Sequence, residues 1–190
     1  MRKALLWAAL CLPVAARAHP GGVDASGCHV DKAAGERHCH PSRAGGSRKK
    51  AESFSGKVVA VKDGDTLEVL RGKAAVRVRL AEIDCPEKAQ AWGAKAKQFT
   101  SGLAFGKTVT VLVTDTDRYG RLVAQVLLDD GRSLNLELVK AGLAWWYRAF
   151  SKDRSIGELE SAAKRDKRGL WADPDPTPPW LFRRKQPGAV

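Results

Sequence analysis

Val61–Glu87 reads VKDGDTLEVLRGKAAVRVRLAEIDCPE, and three acids in it fall at the ends of apolar, strand-like runs. DGDT (Asp63–Thr66) follows GKVVAVK, and DCPE (Asp84–Glu87) follows AVRVRLAEI. Asp and Gly favour turn geometry, so the first is read as a hairpin turn between Lys57–Lys62 and Thr66–Leu70. Ala75–Ile83 alternates, with Val76, Val78 and Leu80 on one face and Arg77 and Arg79 on the other. The apolar face is expected to fill a barrel, and the arginine face to curl towards the acids. An acid at a strand mouth is held by the sheet yet reaches solvent. Two such mouths brought together suit a hard cation, because calcium and magnesium take carboxylate and carbonyl oxygens. DRYGR (Asp117–Arg121) sits at a third strand entrance and adds two guanidiniums. Acids for a metal and arginines for an anion point to phosphate-ester chemistry.

Downstream, Lys88–Phe105 turns helical in character, with Gly106 as its stop. Lys107–Thr114 is a β-branched strand whose expected partner is Arg121–Leu128, across the DTDRYG turn. Leu134–Ala144 and Asp153–Lys167 read as helices, the first with Ser133 or Asn135 as cap. The Pro-rich tail from Asp173 is expected to be irregular, with Trp180 and Phe182 strapping back onto the domain. Five strands and three helices, one helix lying between strands three and four, give a mainly β (α+β) fold. The expected architecture is a five-stranded Greek-key barrel of the oligonucleotide-binding (OB) type.

Upstream, residues 1–18 read as a secretory signal peptide: MRK is basic, ALLWAALCLPVA is apolar, and Ala16-Arg17-Ala18 fits a cleavage site. The apolar run is short for a membrane span, so export to a periplasm or the medium is expected, with no membrane span after cleavage. Residues 19–41 hold all four histidines and two cysteines, and GCH and HCH flank a turn that suggests a hairpin. Cys28, His29, His38, Cys39 and His40 are candidates for a second metal site, with zinc as the ion, or Cys28 and Cys39 for a disulfide. Residues 42–55 are Ser/Gly/Lys/Arg-rich and read as a basic linker. The barrel is placed at 56–172 and the basic tail at 173–190. The chain has 190 residues and a formal charge of +12, of which Arg2, Lys3 and Arg17 fall in the leader. A basic chain of this kind attracts polyanions.

The motifs taken together, DGDT, Arg79 five positions before Asp84 in RLAEIDCPE, DRYGR, LNLELVKAGLAWW and KRGLW, resemble the staphylococcal nuclease (thermonuclease) family from about Gly56 to Trp171. The resemblance implies a calcium-dependent phosphodiesterase acting on DNA and RNA, working as a monomer. By position, Asp65 and Asp84 match the calcium carboxylates, and Cys85 supplies a backbone carbonyl. Glu87 matches the general base, and Arg79 and Arg121 match the phosphate-binding arginines. Arg118 and Tyr119 match positions beside a neighbouring phosphate. The family's stacking aromatic has no unambiguous counterpart in WWYRAF, where Tyr147 is the candidate. Two alternatives are a barrel that binds nucleic acid without cleaving it and a metal-binding protein working through the His/Cys segment. Retention of all five acids and arginines argues against the first.

Overall fold

The computed structural model describes residues 28–30, 37–39 and 52–185. The chain divides into two units, residues 1–49 and 50–190, taken separately below. In the first, β1 (Cys28–Val30) pairs antiparallel with β2 (Arg37–Cys39), as the hairpin reading expects. Cys28 stands opposite Cys39, and His29 opposite His38. His40, the expected signal peptide and most of the expected basic linker lie outside the described residues.

The second unit is built on a closed barrel of five strands in the order β3-β4-β5-β8-β7. They are β3 (Ser53–Val61), β4 (Thr66–Arg71), β5 (Ala74–Leu80), β7 (Thr108–Thr116) and β8 (Leu122–Leu127). β3 starts before Gly56, because Ser53 already pairs with Leu112. Alternation along the strands sends Val58, Leu67, Val69, Val78, Leu80, Val109, Val111, Ala124 and Val126 inward, all fully buried or nearly so. At about 1.5–3 kcal/mol per buried branched side chain, this interior is the main favourable contribution to folding. Closure comes from the parallel pair β5–β8, where Arg79 lies beside Val123. All other barrel pairs are antiparallel.

Two further short strands extend the mouth: β6 (Ile83–Asp84) pairs with β9 (Trp145–Trp146), setting Asp84 opposite Trp145. Among the described residues there are four α-helices, one more than the sequence pattern predicts. They are α1 (Gly93–Ala104), α2 (Leu134–Lys140), α3 (Arg154–Arg165) and α4 (Pro179–Lys185). The additional one, α4, corrects the expectation that the Pro-rich tail is irregular. Proline is excluded from helix interiors but suits the first helical position, where its missing N–H has no partner to lose, and Pro179 stands there. The expected packing of Trp180 is present: it stacks on Tyr147 at 5.5 Å and meets Trp145 edge-on at 5.6 Å.

Capping follows the side chains available. Ser133 caps α2 by accepting from the Leu136 N–H at 3.4 Å, and Asp153 caps α3 from Ser155 at 2.9 Å. Asn135 does different work. Fully buried, it accepts from the Val126 N–H and donates to the Ala81 and Ala124 carbonyls, tying α2 to the parallel seam. Glu160 of α3 is buried too, and it accepts from the Trp146 N–H at 3.1 Å and from Arg148 and Lys164.

α1 clamps the DGDT turn. Thr100 donates to the Gly64 carbonyl at 2.5 Å, and Gly64 sits so close to the helix that a Cβ there would lie 2.7 Å from Ala96 Cβ and 2.8 Å from Cys85 Cβ. At the start of the helix a Cβ on Gly93 would overlap the Glu87 carbonyl, so glycine lets DCPE pass beneath it. The helix begins at Gly93, later than the expected Lys88, directly after Trp92 in the left-handed region at φ 69°.

Gly64→Ala is therefore expected to destabilise the domain by about 1–3 kcal/mol through overpacking. Gly102→Ala, in the same helix with open space around it, is expected to stabilise by about 0.5–1 kcal/mol. Urea denaturation midpoints of the two variants check both signs.

Candidate active site

The barrel brings the two acidic turns together at one mouth, and Arg79 joins them. Its Nη1 lies 3.0 Å from Asp65 Oδ2, and its Nη2 donates to Asp84 Oδ1 at 2.7 Å. Nη1 also donates to the Leu80 and Ile83 carbonyls at 2.9 and 3.1 Å. The guanidinium is thus fixed by main chain on one side and by both acids on the other. The β4–β5 register makes this unavoidable, since Thr66 pairs with Arg79 and the Leu80 N–H donates to the Asp65 carbonyl at 2.8 Å.

Asp65 is held by its own turn. Its N–H donates to Asp63 Oδ1 at 3.1 Å, its Oδ1 accepts from Thr66, and its Oδ2 accepts from the Cys85 N–H at 2.6 Å. Asp65 is 5% exposed and Asp84 is 1% exposed. Burial pushes the Asp65 carboxyl up from 3.8 to about 8; Arg79 opposes this, and the nearby Asp63 and Asp84 add to it. A pair of carboxylates beside main-chain oxygen is the donor chemistry of calcium or magnesium and not of zinc. Among the described residues no cluster of three or more His, Cys, Asp or Glu side chains is arranged around a single metal position.

Cys85 is 3% exposed, its thiol lies in the core beside Gly64, and burial raises its pKa well above the usual range. A thiol so buried is shielded from oxidation and from capture of a softer ion.

Glu87 joins the same cluster through a residue the sequence reading left in the tail. Arg183 of α4 donates from Nη1 to Glu87 Oε1 at 2.6 Å and from Nη2 to Asp84 Oδ2 at 2.8 Å. Sequence gave no signal for it beyond a run of basic residues after PPW, because its approach depends on a helix that the prolines argued against.

Arg121, Arg118 and Tyr119 form a second group. Arg121 Nε donates to Asp117 Oδ2 at 2.7 Å, and Asp117 Oδ1 accepts from the Tyr119 and Arg121 N–H groups, closing the turn. Arg118 and Arg121 both lie over the exposed Tyr119 ring, at 4.8 and 5.4 Å. No ion pair or hydrogen bond joins Arg121 to the Arg79 cluster; it stands two residues before Val123, the β8 neighbour of Arg79. Four of the five expected acids and arginines are thus in one bonded cluster, and the fifth is placed near it by strand register. Tyr147 is covered by Trp180 and is not a free stacking face.

Buried acids and fixed guanidiniums at one barrel end suit the hydrolysis of phosphodiester bonds, and comparison with known proteins agrees. The family described as Staphylococcal nuclease homologue matches residues 77–173. An "Uncharacterized endonuclease" of Escherichia coli O157:H7 is 46% identical over 131 residues, covering 69% of this chain and 86% of that protein. A "Micrococcal nuclease" of Shigella flexneri is 40% identical over 147 residues, covering 72% and 84%. A "Probable staphylococcal-like nuclease CAN1" of Oryza sativa subsp. japonica is 34% identical over 159 residues, covering 82% and 47%. The chain is an enzyme of the nuclease class, and it belongs to the staphylococcal nuclease family.

Because the folded chain holds a proton on Asp65 that the unfolded chain releases above its ordinary value of 3.8, the Asp65 contribution to stability falls as pH rises from about 4 to about 8. Thermal melts across that range in calcium-free buffer are expected to show the decline, and Asp65→Asn is expected to flatten it.

Proposed function

We propose that the protein is an exported, calcium-dependent nuclease that hydrolyses DNA and RNA with weak sequence preference. The observation that carries this is Arg79 fixed between Asp65 and Asp84, with Glu87 bonded into the same cluster. Asp65, Asp84 and the Cys85 main-chain carbonyl would hold the cation. Calcium, when bound, supplies a fixed positive charge that offsets the phosphate and its developing charge in the transition state.

The remaining steps belong to side chains. Arg79 presents a planar fork whose position is set by two main-chain carbonyls, so it meets a phosphate oxygen without rearranging. Arg121 stands at the entrance of β8 and can exchange its side-chain bond to Asp117 for a phosphate oxygen. Guanidiniums placed in advance bind the equatorial oxygens more strongly as charge builds on them. Arg118 and Tyr119, exposed on the same turn, would take the adjoining phosphate. Glu87, half-buried at the rim, accepts the proton of the attacking water. None of these contacts reads a base edge, which is the reason for weak sequence preference.

Plasmid DNA and RNA incubated with the chain are expected to be cut with calcium and left intact with chelator; cleavage indifferent to calcium would overturn the reading. Glu87→Gln is expected to lose about 10²–10⁴-fold in rate. Arg121→Ala is expected to lose about 10²–10³-fold. Both should retain their melting temperatures within a few degrees.

For the N-terminal segment we favour a disulfide over zinc. Directly opposed antiparallel residues stand about 4.5–5.5 Å apart at Cα, inside the span a disulfide needs, and Cys28 and Cys39 are so opposed. Mass spectrometry of exported chain is expected to find this pair oxidised and Cys85 free.

A further inference from the structure

The C-terminal helix carries a guanidinium into the centre of the site. α4 is held at both ends of its approach. Gln90 donates to the Thr177 carbonyl at 2.5 Å, and the Trp92 indole N–H donates to Asp173 at 2.8 Å. Trp180 then stacks on Tyr147. One turn further on, Arg183 meets Asp84 through both nitrogens, at 3.3 Å to Oδ1 and 2.8 Å to Oδ2, and meets Glu87 Oε1 at 2.6 Å. With Arg79 already on Asp84 Oδ1, both oxygens of this carboxylate are engaged by guanidinium.

These are the oxygens that the nuclease reading gives to the cation and to the attacking water. A cation ligated through Asp84 and a bidentate guanidinium on the same carboxylate draw on the same lone pairs and the same negative charge. Two positive groups a few ångströms apart also repel. Arg183 is half-exposed, with 34% of its side chain open to solvent, so it can leave along the tail without disturbing the barrel. Arg79 cannot leave in this way: it is 13% exposed and bound to main chain.

Resting on the nuclease reading, we propose that Arg183 is a built-in competitor of the divalent cation. Its guanidinium neutralises Asp84 and Glu87 in a docked tail, and cation binding exchanges it for metal. The tail thereby sets the cation concentration at which the enzyme turns on. Glu87 is released in the same exchange, so it becomes available as proton acceptor only when the cation is present.

The test is calcium affinity, measured by calorimetry on the full chain without nucleic acid. Arg183→Ala is expected to bind calcium about 10–100-fold more tightly, the scale of a lost pair of charge-assisted hydrogen bonds. Arg183→Lys, which keeps the charge and loses the fork, is expected to fall between. Equal or weaker calcium binding by Arg183→Ala, in protein whose melting curve stays cooperative, overturns the proposal. Calcium-dependent plasmid cleavage by the unaltered chain separates this failure from the other one. If cleavage persists while the affinities are equal, only the competitor role is lost; if calcium neither binds nor activates, the nuclease reading goes as well.

Discussion

Two carboxylates with little exposure to water sit at the barrel mouth, and one guanidinium spans them. Burying an acid is costly unless it is paired and hydrogen-bonded. Arg79 supplies the pairing, and the Leu80 and Ile83 carbonyls fix Arg79 in turn. Asp65 gains a further donor from the Cys85 main chain. Burial still lifts the Asp65 carboxyl above its ordinary value. Arg183 of the tail adds a second guanidinium on Asp84.

The fold around this mouth works mainly to hold its parts in register. The Thr66–Arg79 pair sets the arginine beside the first acid, and the β6–β9 pair sets the second. α1 presses the DGDT turn against Cys85 through a glycine with no room for a side chain. α2 contributes a buried amide that satisfies main chain at the seam where the strands run parallel. Each is a position where a change of one methyl or one donor would move a carboxylate.

Much of this was legible in the sequence, for physical reasons. Alternation in AVRVRL gave both the strand and the inward face, because a pleated strand has a period of two. Asp and Gly in DGDT and DRYGR marked turns, and the acids themselves announced the chemistry. What sequence did not show depends on long-range packing. The Pro-rich tail argued against regular structure, yet Pro179 begins a helix, and that helix delivers Arg183. Ser133 and Asn135 both read as cap candidates; Ser133 takes the cap, and burial against β8 gives Asn135 a different task. Arg121 was expected among the acids; its own turn holds it through Asp117, an attraction between near neighbours that a motif comparison does not weigh.

The parallel seam has a consequence for how the molecule comes into being. Strands β5 and β8 meet only through partners more than forty positions apart, Arg79 beside Val123, and contacts of such long span form late. A nascent polypeptide that has emerged as far as Glu87 already carries all three acids but has no cylinder to gather them. Catalytic competence is thus withheld until the ribosome has made most of the domain, and the guanidinium of Arg183 arrives later still.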